Sequence, residues 1–233
     1  MPQLSTVLGG PRLFVKRDDM TDLAFGGNKA RKLEFVFADA KNKGADVVIS
    51  VGAVQSNCAC MVAAAARRLG IKPVLVLVGK EPDVYDGNLL LDKMMSAEIH
   101  FIENYGSHVE DYMNKLADEY SDKGHTPYLI PAGASVPLTV PGYVLAMEEL
   151  LNQFNEIGEA VDYVVCTCGT GGTQAGLIFG AKLLNMQVKI LGASVFATKS
   201  NASTTVSGLV NGSAELFGVD VSISPGEVNV FDD

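Results

Sequence analysis

Val47-Val48-Ile49-Ser50-Val51 is an almost unbroken β-branched run, the pattern of a strand covered on both faces, as in the parallel sheets of α/β proteins. It ends in Gly52-Ala53 and gives way to a helical pattern with the apolar face Cys58, Met61, Val62, Ala65 and Leu69. The alternation recurs as strand Val74 to Val78, helix near Gly87 to Met95, strand Glu98 to Ile102, helix near Val109 to Lys123 and strand Tyr128 to Ile130. After a loop from Pro131 to Pro141 come helix Tyr143 to Asn155, strand Tyr163 to Cys168, helix Gln174 to Leu184 and strand Val188 to Val195. Such repetition predicts an α/β fold with parallel strands and right-handed crossovers. Upstream, Arg12 to Lys16 alternates like a short strand, and Gly26-Gly27-Asn28 reads as a loop. From Lys29 the spacing of Leu33, Val36, Phe37 and Ala40 is helical, with Lys43-Gly44 as a stop, so Lys29 sits where a loop enters a helix.

Composition narrows the partners. With 48% hydrophobic and 19% charged residues the chain is globular. A net charge of −9 gives no electrostatic footprint for nucleic acid or an anionic membrane. No apolar run approaches the roughly 18 residues of a membrane span, and Met-Pro-Gln-Leu-Ser-Thr is not a signal pattern. A cytoplasmic protein is expected, with its four cysteines reduced. These form two Cys-x-Cys pairs, Cys58 with Cys60 and Cys166 with Cys168, and read as core and strand residues rather than as metal ligands.

In an open parallel sheet, ligands bind beyond the carboxyl ends of the strands. Three turns at that edge carry unusual residues: Gly26 to Lys29, Gln55 to Asn57, and Gly169 to Thr173. In the last, missing side chains expose backbone N–H groups at a helix start, which suits a phosphate. The loop comes late in the chain and lacks both the early Gly-x-Gly-x-x-Gly fingerprint and a Gly-Lys-Ser/Thr ending, which disfavours dinucleotide and triphosphate binding. With a phosphate held there, Lys29 is the candidate covalent partner of a phosphate-bearing aldehyde. Each motif also has an ordinary reading: a structural glycine turn, solvated charges at Lys29, Arg31 and Lys32, and helix caps at Ser56 and Asn57.

The segment from Lys16 to Phe35, with Gly26-Gly27-Asn28-Lys29-Ala30-Arg31-Lys32 at its centre, resembles the cofactor-lysine segment of the pyridoxal-phosphate family containing D-cysteine desulfhydrase and 1-aminocyclopropane-1-carboxylate deaminase. Gly52 to Asn57 is similar to that family's substrate loop, Ile130 to Ser135 to its mid-chain loop, and Gly169 to Gly176 to its phosphate loop. The resemblance implies the fold type II architecture of tryptophan synthase beta: two open, twisted, mostly parallel sheets flanked by helices. It implies a smaller domain over residues 32–140 and a larger cofactor domain from residues 1–31 and 141–233. Pyridoxal 5′-phosphate would be carried covalently by Lys29, which would also act as the proton-transfer base. Asn57 would meet its phenolic oxygen. Gly169, Thr170, Gly171, Gly172 and Thr173 would hold its phosphate, with Lys32 close by. Ser56, with Gln55, Asn57 and neighbouring N–H groups, would receive the carboxylate of a small amino-acid substrate. A homodimer is implied as well.

The expected activity is elimination and deamination: D-cysteine to pyruvate, hydrogen sulfide and ammonia, favoured by the Gly169-Thr170-Gly171-Gly172 form. The alternative is opening of 1-aminocyclopropane-1-carboxylate to 2-oxobutanoate and ammonia, and a racemase is a third outcome on this scaffold. Two departures from the family pattern stand beside this. Cys58-Ala59-Cys60 occupies positions where relatives carry His or Gln and then a basic residue, and Val228 to Asp233 resembles a strand after which relatives continue. They favour a C-terminally truncated, catalytically inactive homologue as the competing reading. A nucleotide binder, resting on the glycine loop alone, is the remaining one.

Overall fold

The computed structural model describes residues 1–103 and 107–232. In chain order the elements are α1 (Pro2–Leu8), α2 (Ala30–Asn42), β1 (Val47–Ala53), α3 (Asn57–Arg68), β2 (Lys72–Val78), α4 (Gly87–Met94), β3 (Glu98–Ile102), α5 (Ser107–Asp122), β4 (Pro127–Ile130), α6 (Pro141–Glu156), β5 (Tyr163–Cys168), α7 (Gly172–Leu183), β6 (Lys189–Ser194), α8 (Lys199–Phe217) and β7 (Asn229–Phe231). Asp233, last in the expected 228–233 strand, lies outside the described residues. Among the described residues no helix is long and apolar enough to cross a membrane.

The strands form two all-parallel sheets, ordered β3-β2-β1-β4 and β5-β6-β7. In the first, Val47, Ile49, Val51, Val74 and Val76 pack on Val109, Met113, Leu116 and Tyr120 of α5. On its other face Val48 meets Leu33, Val36 and Phe37 of α2 and Met61 and Val62 of α3, while Leu75 and Leu77 meet Leu89 of α4. Both faces are therefore covered, which is why β1 and β2 carry apolar side chains without alternation. The strand order reverses at β1, since β2 and β3 lie to one side and β4 to the other. Such a reversal opens a crevice at the carboxyl ends of the strands. The loops leaving β1 and β4 there are residues 54–56 and 131–135.

The second sheet packs one face on α6, α7 and α8 through Val164, Cys166, Cys168, Ile190 and Val230. α6 and α7 approach closely because Gly176 and Gly180 offer no side chain where they cross Tyr143 and Met147; a Cβ at Gly176 would stand 2.3 Å from Tyr143 Cβ.

Three expectations need correction. Arg12 to Lys16 is extended but joins no sheet. Instead Phe14 meets Phe154 edge-on with ring centres 5.2 Å apart, Arg12 pairs with Glu159, and Lys16 pairs with Glu149 at 2.8 Å. The alternation reflects a strap held to α6 by side chains, which resembles strand periodicity without ladder bonds. The stretch 131–141 is not plain loop, because it contains 3₁₀ turns at Ala132–Ala134 and Pro137–Thr139. Two helices, α1 and the 19-residue α8, lie where no element was expected. α8 begins at a Thr198 cap whose side chain accepts from the Asn201 N–H. Its Ser- and Thr-rich sequence carries weak helix propensity, and packing through Ala202, Val206, Val210 and Ala214 secures it.

Candidate active site

Lys29 stands immediately before the first helical residue of α2, at the exit of the Gly26-Gly27-Asn28 loop. Backbone conformation requires the glycines: Gly26 has φ +81 and Gly27 φ +140, and a Cβ at Gly26 would fall 2.0 Å from the Asp19 carbonyl oxygen. Thr21 locks the loop by donating to the Gly27 carbonyl and accepting from the Gly27 N–H, both at 2.8 Å. Behind it, Arg31 binds both Asp18 and Glu149, and Tyr143 donates to Asp18 at 2.8 Å. The Arg31 hydrogen bonds hold Glu149 down at about 2, so its carboxylate is charged at neutral pH.

The Lys29 amine donates to Asn28 Oδ1 at 3.1 Å, and Asn28 Nδ2 donates to Thr173 Oγ1 at 2.9 Å. One short chain of contacts thus joins the lysine to a glycine loop far along the sequence. Both open onto a cleft of about 1610 Å³ lined by Asn28, Lys29, Tyr143 and Gly169 to Thr173 (Gly169, Thr170, Gly171, Gly172, Thr173), with the Arg12–Lys16 strap and β5 as further walls.

The glycine loop leads into α7 with Gly171 at φ +79. A Cβ on Gly172 would lie 2.6 Å from Ser135 Oγ and 2.8 Å from Lys32 Nζ, so any side chain there would displace these two polar ends from the loop. Lys32 is 1% exposed, and its amine donates to Ser135 Oγ at 2.8 Å; that hydroxyl in turn contacts Thr170 Oγ1 at 2.6 Å. Among the described residues no carboxylate pairs with this ammonium. Burial, and secondarily the Lys29 charge, push Lys32 down to about 7. The reading of Lys32 as an ordinary surface charge is therefore overturned.

Ser56 caps α3, its Oγ accepting from the Ala59 N–H at 3.2 Å. Asn57 and Gln55 are exposed, and neither they nor Ser56 lines the cleft. Their link to the lysine runs through α3. Met61 Sδ would be 3.0 Å from a Cβ on Gly27, and the Cys58 thiol, pushed up by burial, feels the opposing charges of Lys29 and Lys32. Cys58 is 5% exposed within the α2–α3 core and Cys60 is buried beside Asp92. Both departures in the substrate loop therefore point inward. The Gln55 carboxamide is engaged with Asp86 and Asn88 at the start of α4.

Sequence reasoning missed Asn28, Ser135, Asn88 and the Asp18–Arg31–Glu149–Tyr143 brace. Asn28 adjoins Lys29 and Ser135 ends the mid-chain loop, so adjacency to motifs could have flagged these two. Partners of the brace are separated by up to 125 residues, and no local pattern announces them.

The chain matches the family model for pyridoxal-phosphate dependent enzymes over residues 1–223. A Pyrococcus abyssi protein provisionally named a 1-aminocyclopropane-1-carboxylate deaminase is 40% identical over 233 residues, all of this chain and 69% of the relative. The 1-aminocyclopropane-1-carboxylate deaminase of Methylobacterium nodulans is 36% identical, over 99% of this chain and 71% of its own length. Among solved structures, an ACC deaminase homologue superposes with a TM-score of 0.91 at 39% identity, covering 99% of this chain and 69% of that one. A solved threonine deaminase does so with a TM-score of 0.66 at 26% identity, covering 85% and 58%. The fold is that of the two-sheet pyridoxal-phosphate enzymes, and the chain belongs to the pyridoxal-phosphate dependent enzyme family.

Proposed function

We propose that this chain is a deaminase acting on a small amino acid, with 1-aminocyclopropane-1-carboxylate as its substrate class. The observation that carries the reading is the Lys29–Asn28–Thr173 chain, which sets a lysine amine and a bare-backbone anion loop on one cleft. The names of relatives at 36–40% identity favour the cyclopropane substrate over D-cysteine.

The residues present fit pyridoxal phosphate. Lys32 is a buried amine with no carboxylate partner among the described residues, and the glycine loop and α7 N-terminus lie against it. A phosphate there would supply the missing counter-charge and meet N–H donors. In this reading Gly169, Thr170, Gly171, Gly172 and Thr173 would hold the phosphate and Lys29 would be the lysine that carries the cofactor. Asn57 would donate to the phenolic oxygen. Bound pyridoxal phosphate supplies an electron sink at the substrate's α-carbon. Lys29 Nζ accepts and returns a proton at the reacting carbon. Ser56 receives the substrate carboxylate: its oxygen lone pair already accepts from Ala59, which leaves the hydroxyl hydrogen to donate. Gln55 contributes through loop shape and main-chain groups, because its carboxamide is occupied. The two sheets mark two units in this reading, residues 32–140 and residues 1–31 with 141–233.

The test is product analysis of the cofactor-loaded chain. Release of 2-oxobutanoate and ammonia from 1-aminocyclopropane-1-carboxylate, lost in Lys29→Ala, is the expected result. Pyruvate and hydrogen sulfide from D-cysteine, with no 2-oxobutanoate, would transfer the assignment to desulfhydration. Cofactor binding with neither product would mark an inactive homologue.

A further inference from the structure

The start of α4 is tied to the Gln55–Asn57 loop by a closed set of hydrogen bonds. Asn88 Nδ2 donates to the Gln55 carbonyl at 3.1 Å and to Asn57 Oδ1 at 2.6 Å, and the Asn88 N–H donates to Gln55 Oε1 at 2.9 Å. Gln55 Nε2 donates to the Asp86 carbonyl at 3.2 Å and to its carboxylate at 3.1 Å. Between Asp86 and Asn88 the chain turns at Gly87 with φ +51, where a Cβ would lie 2.6 Å from Gln55 Oε1.

Main-chain groups decide which way each carboxamide faces. The Gln55 carbonyl can only accept, so the Asn88 atom against it is the NH₂ nitrogen. That same nitrogen reaches Asn57, so Asn57 must present its oxygen there. The Asn88 N–H can only donate, which turns Gln55 Oε1 toward it and leaves Nε2 for Asp86. The outcome is that the Asn57 NH₂, on an exposed side chain, is the end left for a ligand.

We propose that Asn88 is a positioning residue: by occupying Asn57 Oδ1 it fixes the Asn57 carboxamide as a hydrogen-bond donor and so sets the site's preference for an anionic oxygen, the deprotonated phenolic oxygen of the cofactor. This rests on the reading that Asn57 meets that oxygen. The group acts on the ligand only through another side chain, as outer partners orient the inner ligands of a metal.

Two substitutions at position 88 act on Asn57 in different ways. Asn88→Asp keeps the shape but replaces the donor with acceptors, so Asn57 turns its NH₂ toward residue 88 and offers an oxygen to the ligand. Asn88→Ala merely releases Asn57. The orientation role therefore predicts more damage from the isosteric Asp than from Ala; Asp would also turn an oxygen toward the Gln55 carbonyl, so the comparison that separates orientation from loop support is the Asn88→Ala effect with and without the Asn57 side chain.

The test measures pyridoxal 5′-phosphate affinity and the balance of its visible and near-ultraviolet bands. The proteins are wild type, Asn57→Ala, Asn88→Ala, Asn88→Asp and the Asn57→Ala/Asn88→Ala pair, with thermal unfolding to establish that each is folded. The expected result is weakening of about tenfold or more in Asn88→Asp, with loss of the visible band, and a smaller effect in Asn88→Ala. The double variant should match Asn57→Ala, because Asn88 has nothing left to orient. An Asn88→Ala effect that persists undiminished in the Asn57→Ala background overturns the proposal, with or without a folded Asn88→Asp protein. Asn57→Ala indistinguishable from wild type would instead overturn the contact between Asn57 and the cofactor.

Discussion

Lys32 is a helical lysine 1% exposed, and burying its amine makes the folded state disfavour the charged form. Its folded-state value near 7 is far below the ordinary lysine range, so the folded protein binds fewer protons than the unfolded chain between about pH 7 and 10, and stability rises with pH there. A phosphate beside it reverses that depression. At pH 8, titrating pyridoxal phosphate into the protein in two buffers of unlike ionisation enthalpy should show uptake of a fraction of a proton approaching one; no uptake would mean the phosphate lies elsewhere. Asp92 behaves oppositely. It is 1% exposed on α4, one carboxylate oxygen lacks a partner, and burial raises it to about 6 against a bond from Cys60. A raised carboxylate holds its stabilising neutral form at low pH and loses it as pH climbs through about 6. Asp92→Asn is therefore expected to raise unfolding free energy by about 1–2 kcal/mol at pH 7.5 and to leave it nearly unchanged at pH 4 in urea titrations.

At the scale of elements, two crossings hold the site. Gly176 and Gly180 let α7 nest against Tyr143 and Met147 of α6, and Gly142 passes the Arg31 carbonyl so closely that a Cβ would sit 2.2 Å from it. Gly176→Ala gains about 1 kcal/mol of helix propensity and loses more to the clash, so a net destabilisation of about 1–3 kcal/mol is expected in chemical denaturation. Gln174, fully buried, donates to the Asn229 carbonyl at 2.7 Å and ties β7 to the helix that carries the glycine loop. Most of this framework was legible beforehand. β1, β3 and β5 announce themselves by β-branched runs or alternation, and Lys29 and the glycine loop stand at strand-to-helix boundaries where period changes mark them. Arg12 to Lys16 misled, because side chains packed on α6 reproduce a strand's alternation. α8 was invisible since its Ser- and Thr-rich sequence carries weak propensity and its burial is tertiary. The pairing of Asn28 with Thr173 and of Ser135 with Thr170 depends on loops from both sheets meeting, and that of Lys32 with Ser135 on α2 meeting the loop after β4, which no window of sequence contains.

At the scale of the molecule, the contrast is between a four-stranded sheet covered on both faces and a three-stranded one covered on one. The uncovered face of the second carries Tyr163, Val165 and Phe231, each more than half exposed, and contributes Tyr163 and Val165 to the cleft wall. Parallel sheets usually bury both faces, so this wall adds apolar surface to a site whose polar groups come from Lys29 and the glycine loop. Ligand binding to the folded form alone should raise stability by about 2.7 kcal/mol at a hundredfold excess over Kd, seen as a higher Tm that Lys29→Ala reduces. The central claim is that Lys29 and the Gly169–Thr173 loop form one cofactor site. Its most direct test is the visible absorption spectrum of the chain with pyridoxal 5′-phosphate, beside Lys29→Ala, followed by borohydride reduction and peptide mapping. A visible band in the wild type, absent from the variant, with the reduced label on the Lys29 peptide, is the predicted result. A folded protein that gives no band, or carries the label on another lysine, would contradict it.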